Sequence, residues 1–420
     1  MRIKNKRKND YNDYIVLAGV ILITALGNLS TLKNHLVADS WVFLFPHTFK
    51  ETLGYFFKSI IPLEWDALWL RPIPMLFYWL DNIIWPGTEW GPHLTNVFFH
   101  VLNVLFIWLL IRFIYAQSNS SKPALNFRLP ALTACILYGL HPLNVGSVGW
   151  VAARFDVMSV TFGLAGMLTW LKWDAGIKST LNITLSSILL MSSILSKEQG
   201  IVFLMVCFTT GIFGVLTIEN KRKKYWKGLM ILALLVIIYI IYRFSLFHGI
   251  GGYLISKQGL SFAPPVVFFT AILFPYLNIF PNWTFSLTFL ATSFFIITLM
   301  WGLIAAWRTD VQIQAWKNAG ETAHQIISET VNTAPDPPKN SQILFFRIPR
   351  DNDQFAYIFG IGLKEAILRN YPGRNDIIIS PKSQGKDLNR VKPEKDYVFA
   401  FNERSGKLER LLPQVKESKN

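Results

Sequence analysis

Nine stretches of this chain, at about 13–31, 93–115, 130–148, 150–171, 179–196, 199–218, 226–245, 263–281 and 285–307, stay apolar for roughly the length of a bilayer. A helix of about 20 residues crosses ~30 Å of hydrocarbon, and there every backbone N–H and C=O must be bonded within the segment or the bundle. That pattern leaves few folds open. With 52% hydrophobic and only 16% charged residues, the chain falls outside ordinary soluble composition. The expectation is an all-α polytopic membrane protein with about nine spans. Pro264, Pro265, Pro275 and Pro281 remove backbone donors from the eighth run and predict a broken or re-entrant segment.

The formal charge of +15 would suggest a nucleic-acid partner in a soluble domain. Here the basic residues flank the spans. Arg2, Lys4, Lys6, Arg7 and Lys8 precede the first run, Lys122 and Arg128 follow the second, and Lys221, Arg222, Lys223 and Lys224 follow the sixth. Lys and Arg beside spans mark the cytoplasmic side. This predicts a cytoplasmic N-terminus, with the lipid bilayer as partner and no nucleic acid. The first run has no small-residue cleavage site after it and reads as an uncleaved anchor. Cys135 and Cys207 both fall inside predicted spans, so neither a disulfide framework nor a cysteine metal site is expected. No phosphate-binding G-x-x-x-x-G-K-[ST] loop occurs, which disfavours an ATP-driven pump.

Alternation from a cytoplasmic start puts 32–92 outside, where 49–61 is amphipathic and 74–85 is apolar but too short to span. Both suit interfacial helices, with Trp65, Trp69, Trp79, Trp85 and Trp90 at headgroup level. Two domains are expected: a membrane domain at 1–308 and a small soluble α/β domain at 309–420. The second is built from helices at 312–332 and 353–370 and strands at 342–348, 376–380 and 396–402, with a Pro-rich linker at 333–340. Nine spans from a cytoplasmic start would place it on the outer side, and eight on the inner side.

Charges inside or at the edge of a membrane cost several kcal/mol and suggest function. Lys197 and Glu198 sit between two spans. The same alternation brings them to one face with Asp39, Arg71, His141, Arg154 and Asp156. Arginine and lysine there suit a lipid-linked phosphate leaving group, and a carboxylate suits deprotonation of an acceptor hydroxyl. Asp39, just beyond the first span, is the leading base candidate. Plainer roles compete: Asp39 as a helix N-cap, Arg71 as a snorkelling arginine, Lys197 and Glu198 as a self-satisfied pair. Arg154 and Asp156, two residues apart, fall on different helix faces. His93 and His100 share a face of the second span with Asn96 and Asn103, a pattern that reads as a polar helix–helix seam. A metal would need a third ligand, and none is compelling.

Taken in order, several segments resemble a known pattern. They are Arg71-Pro72 before an aromatic helix, Trp90-Gly91-Pro92-His93-Leu94-Thr95-Asn96, Leu140-His141-Pro142-Leu143-Asn144, Arg154-Phe155-Asp156 and Ser196-Lys197-Glu198. Over roughly 10–245 the chain is similar to integral-membrane glycosyltransferases of type C fold, above all the transmembrane and tetratricopeptide-repeat O-mannosyltransferases and their bacterial relatives. The resemblance implies inverting transfer from a polyprenyl-phosphate-linked sugar to a protein or envelope-glycan acceptor on the outer face. It implies Asp39 as base, Lys197, Arg71 and Arg154 toward the donor phosphate, and Glu198, Asp156, His93 and His141 in support. No metal or other cofactor is indicated. It departs from the family in Ser40, where relatives often carry a second acid, a role Glu64 or Asp66 could take, and in lacking the repeats. A bacterial inner membrane with a periplasmic C-terminal domain is expected. An inactive scaffold and a secondary transporter or flippase are the alternatives.

Overall fold

The computed structural model describes residues 2–61, 68–118, 127–217, 220, 222–247, 311, 313–351, 356–359, 361–381, 383, 387–388 and 391–411. The runs expected at 263–281 and 285–307, and residues Glu64, Trp65 and Asp66, lie outside them. Among the described residues six helices are long and apolar enough to cross a membrane. They lie in α1 (Arg2–Asn28), α5 (Trp90–Ser118), α8 (Arg154–Asp174), α9 (Ser179–Ser196), α10 (Ile201–Thr217) and α11 (Arg222–Phe247). Each coincides with one of the expected runs.

The run at 130–148 is instead split into α6 (Arg128–Gly139) and α7 (Pro142–Gly149). Pro142 has no N–H to give, so the α6 hydrogen-bond ladder cannot continue through it. The carbonyls left over are taken up by side chains. Asn144 Nδ2 donates to Tyr138 O at 2.6 Å, and His100 Nε2 donates to Gly139 O at 2.9 Å. A carbonyl only accepts, so this contact fixes the proton of His100 on Nε2.

Small residues let α8 sit at the centre of the bundle. Ser159 Oγ donates to Ser193 O (3.0 Å) and Ser193 Oγ returns a bond to Ser159 O (2.6 Å). Further along, Ser186 Oγ donates to Gly166 O (3.0 Å). A Cβ at Gly166 would lie 2.9 Å from the Leu190 side chain, so the α8–α9 approach depends on small side chains and interhelical hydrogen bonds. On the other flank the polar stripe of α5 works as a seam. Asn103 donates from Nδ2 to Val157 O (3.2 Å) and accepts at Oδ1 from Thr161 Oγ1 (2.6 Å).

Within 32–92 the helix expected at 49–61 is shorter than expected, and the one expected at 74–85 starts two residues earlier. α2 covers Ser40–Phe43 and α3 covers Phe49–Gly54, where Thr48 and Glu51 form a capping box. α4 (Pro72–Ile84) starts with proline in its first turn, buries Met75, Tyr78 and Asp81, and leaves Leu80, Ile83 and Ile84 exposed, the profile of a helix lying in an interface.

The C-terminal region begins with α12 (313–333). It continues through β1 (Gln342–Phe346), α13 (Leu363–Leu368), β2 (Ile378–Ser380), β3 (Tyr397–Asn402) and β4 (Lys407–Arg410). The sheet order is β2-β1-β3-β4, with β1 parallel to both β2 and β3 and β4 antiparallel on the edge. Two differences from expectation have local causes. Only α13 of the helix expected at 353–370 forms among the described residues, because Gly362 takes φ +92°, outside helical geometry. β4 carries Leu408 as its single apolar residue between charged ones, a blunted edge strand that leaves no hydrophobic run to detect.

One core joins the sheet and α12 to the loops at this end of the bundle: Phe345, Phe399, Ile326 and Trp316 pack with Leu36, Phe43, Tyr78 and Phe155. Replacing Gly166 by leucine is expected to push α9 from α8 and cost about 1–3 kcal/mol, read as a lower unfolding midpoint in detergent. An unchanged midpoint would contradict the close helix approach.

Candidate active site

Asp39 stands at the N-terminal boundary of α2, yet its side chain makes no cap bond. It is buried, and among the described residues its Oδ1 has no hydrogen-bond partner. Burial pushes its carboxyl up to about 7; its own backbone, the nearby Trp150 indole and the Arg71 charge pull in the opposite direction. The adjacent Ser40 accepts from the Ala152 N–H at 3.3 Å, which ties the α2 turn to the segment before α8.

The C-terminal region holds this turn. Ala38 adopts φ +49°, and its N–H donates to Ile358 O at 2.8 Å. Any side chain at Gly362 would run into Ala38 O. Trp150 stacks on Trp316 (5.5 Å, 19°) and meets Tyr357 (5.3 Å), while the Arg369 guanidinium lies over Trp41 (5.6 Å). These contacts come from three separate stretches of the C-terminal region.

Beside it lies a charge cluster. Arg71, just before α4, donates from Nη2 (2.9 Å) and Nε (3.2 Å) to Glu198 Oε2. Its guanidinium lies over Trp69 (4.3 Å) and Phe155 (5.3 Å). Arg243, near the end of α11, reaches Glu198 Oε1 at 3.4 Å and donates to Leu68 O at 2.8 Å. Lys197 pairs with Asp156 Oδ1 at 2.6 Å, where Gln199 Nε2 also donates at 2.6 Å. Lys197 and Glu198 therefore do not satisfy each other. Backbone geometry separates them: Lys197 is extended (φ −159°, ψ 142°) and Glu198 opens a 3₁₀ turn. Both arginines are buried, whereas Lys197, Asp156 and Glu198 each remain a little over a quarter exposed. Water can reach the cluster from that side.

Arg154 turns the other way. It is fully buried against Asp81 (2.5 Å), donates to Asn96 Oδ1 (2.8 Å) and Pro92 O (2.9 Å), and lies over the Tyr78 ring (4.3 Å). It joins α4, α5 and α8, while Asp156 on the opposite side of the turn meets Lys197. His93 is fully buried one turn along α5 from Glu89. His141 stands at the α6–α7 break.

Asp81 and Arg243 went unnoticed in the sequence. Each is a single charge within an apolar segment, and that cost was the available signal. Chemically, the cluster sets three cations, Arg71, Arg243 and Lys197, against two carboxylates, Glu198 and Asp156. The surplus positive charge suits an anion such as a phosphate. Asp39 lies within electrostatic reach of Arg71.

The chain is 30% identical over 191 residues to a Drosophila melanogaster protein O-mannosyl-transferase, Tmtc3, a match spanning 40% of this chain and 20% of that protein. Mouse and human protein O-mannosyl-transferase TMTC3 are 27% and 26% identical over 34% of the chain, spanning 15% of each. The chain thus spans about a fifth or less of the length of these relatives. No family model matches it. No solved structure matches it.

Asp81→Ala would leave the Arg154 guanidinium buried without its carboxylate, at a cost of about 3–5 kcal/mol. Pairing it with Arg154→Met should recover much of that loss. Thermal unfolding of the two variants in detergent checks this, and equal damage in both would show that the ion pair is not what carries the effect.

Proposed function

We propose that the chain is a membrane glycosyltransferase that moves a sugar from a polyprenyl-phosphate donor to a hydroxyl of a protein or envelope-glycan acceptor. The similarity to proteins named O-mannosyl-transferases supports the reaction class. The observation that carries the reading is Asp39: a buried carboxylate with a titration point near neutrality, beside a cationic cluster at one end of a helical bundle. A general base works best when its pKa lies near the working pH.

In this reading the acceptor hydroxyl oxygen attacks the anomeric carbon from the side opposite the phosphate, and the configuration inverts. The new glycosidic C–O bond forms, the sugar–phosphate C–O bond breaks, and the hydroxyl proton passes to Asp39. The lipid phosphate leaves with the bonding electrons, and Lys197 and Arg71, with Arg243, stabilise its charge. Glu198 keeps both arginines oriented, and Asp156 does the same for Lys197. Arg154 acts through packing, by holding the segment that carries Trp150; His93 and His141 belong to the surrounding scaffold.

The site end is proposed to face the periplasm of a bacterial inner membrane, because the basic Arg222–Lys224 start of α11 lies toward the other end. There Lys224 donates to the Trp173 and Asp174 carbonyls closing α8. The region 309–420, as a domain distinct from 1–308, would cover the acceptor side of Asp39.

Turnover of a polyprenyl-phosphate sugar by membranes bearing wild type and variants tests this. Asp39→Asn is expected to lower kcat by roughly 100- to 10,000-fold, and Lys197→Ala to lose most activity. Full activity in Asp39→Asn would remove Asp39 as the base. The base must be ionised, so kcat/KM should fall below about pH 7 and level off above it. Because the folded carboxyl titrates above its ordinary value, ionisation opposes folding: stability should decline as pH rises from about 4 to about 7, and Asp39→Asn should flatten that decline. Gly362→Ala should displace the Ala38–Asp39 turn and reduce kcat with little change in donor binding.

A further inference from the structure

The geometry points to a divalent metal site of the zinc class at His35, Glu89 and His324, a site that would clip the C-terminal region to the membrane bundle. One ligand atom from each of the three residues lies within 4.8 Å of the others. They come from three places: His35 from the loop after α1, Glu89 from the turn before α5, and His324 from α12. No local sequence motif joins them, so spacing alone does not reveal the set.

The donor chemistry fits one kind of ion. Two imidazoles and a carboxylate leave a fourth position open to solvent, the arrangement zinc accepts; magnesium and calcium prefer oxygen donors throughout. Two of the donors already stand at ligand spacing: His35 Nδ1 and Glu89 Oε2 are 3.1 Å apart, against the roughly 3.4 Å expected between donors around a tetrahedral ion with ~2.1 Å bonds. Glu89 is oriented by a second partner, since its Oε2 also accepts from the Leu36 N–H at 3.0 Å. Such outer contacts hold a ligating carboxylate in place.

The third ligand is delivered by packing. Gly320 of α12 lies against the His35 backbone, where an added Cβ would come within 3.0 Å of the His35 nitrogen. One turn later, on the same face, His324 stacks on the His35 ring at 4.1 Å and 12°. Parallel rings do not aim both nitrogens at one point, so capture of an ion requires the His324 ring to turn. That side chain is exposed, and the turn gives up its stack on His35. His35 is four residues from Asp39, so an ion here would hold α12 on the face that covers the buried carboxylate.

The test uses the full chain purified in detergent, stripped with a chelator and equilibrated with zinc chloride. Metal content is read by mass spectrometry and affinity by competition with a chromophoric chelator. Wild type should retain about one zinc per chain, and zinc should raise its unfolding midpoint. His324→Ala, an exposed substitution that leaves the core intact, should weaken binding at least 100-fold, beyond the roughly 10- to 100-fold seen when only an outer partner is lost, and should abolish the midpoint shift. His47→Ala should do neither. Cobalt(II) should give the visible bands of a four-coordinate nitrogen–oxygen site in wild type and lose them in His324→Ala. Wild type taking up no zinc, or wild type and His324→Ala holding it equally, would overturn the site. None of the three ligands takes part in the proposed transfer, so either outcome leaves that reading to its own assay.

Discussion

A guanidinium buried away from water must find its counter-charge inside the protein, and Arg154 meets this demand by joining three helices at once. Its ion pair to Asp81 fixes α4, its bonds to Asn96 and Pro92 fix the start of α5, and its own backbone opens α8. Leaving such a charge unpaired costs several kcal/mol, so these elements have one favourable arrangement and not a range. Asn96 extends the constraint by donating to the Trp150 and Val151 carbonyls. Tyr78 adds a bond from its hydroxyl to Val151 O at 2.9 Å. The segment just before α8 is thereby held on the α5 side, and it is this segment that presents Trp150 and the Ala152 N–H to the turn carrying Asp39.

The C-terminal region acts on the same turn from above. Ala38 is held in a left-handed conformation that a non-glycine residue adopts at a cost of about 1–2 kcal/mol. The Ile358 carbonyl and the close seat of Gly362 offset that cost. The consequence for Asp39 is burial, and burial is what shifts its titration toward neutrality. An acid kept in water here would be ionised at all physiological pH and would be a weak base. Its basicity is thus a property of the assembled core, in which α12 and the sheet take part as fully as the membrane helices.

Much of the bundle was legible in the sequence because hydrocarbon imposes a length and a polarity that few other environments do. The six long helices fall on apolar runs for this reason. The split between α6 and α7 was harder to see, since Pro142 lies within a run that remains apolar on average and only His100 and Asn144 reveal how the freed carbonyls are satisfied. In the C-terminal region the strands β1, β2 and β3 follow apolar runs, whereas β4 is defined by pairing with β3 and carries no such run. At the site, spacing correctly placed Arg154 and Asp156 on different faces. It could not say that Arg71 would choose Glu198, that Arg243 would share it, or that Lys197 would turn to Asp156, because those choices depend on side chains more than 40 residues apart in the chain.

Glu198 shows how a cluster of buried cations stays folded at the edge of the bundle. Arg71 and Arg243 are buried, and with no carboxylate between them each would bear the full cost of desolvation plus mutual repulsion. Glu198 offsets both by giving one oxygen to each arginine. Yet it is not sealed, since it keeps about a quarter of its side chain exposed, and its pairing to Arg243 is long at 3.4 Å. In the proposed reaction the donor phosphodiester brings two non-bridging oxygens to the exposed side of the same cations, while Glu198 stays beside the arginines it orients. The same logic applies to Lys197 with Asp156. The partly exposed pairs of Glu198 and Asp156 are therefore the ones the proposed donor would meet, whereas the Arg154–Asp81 pair, fully buried, remains part of the frame.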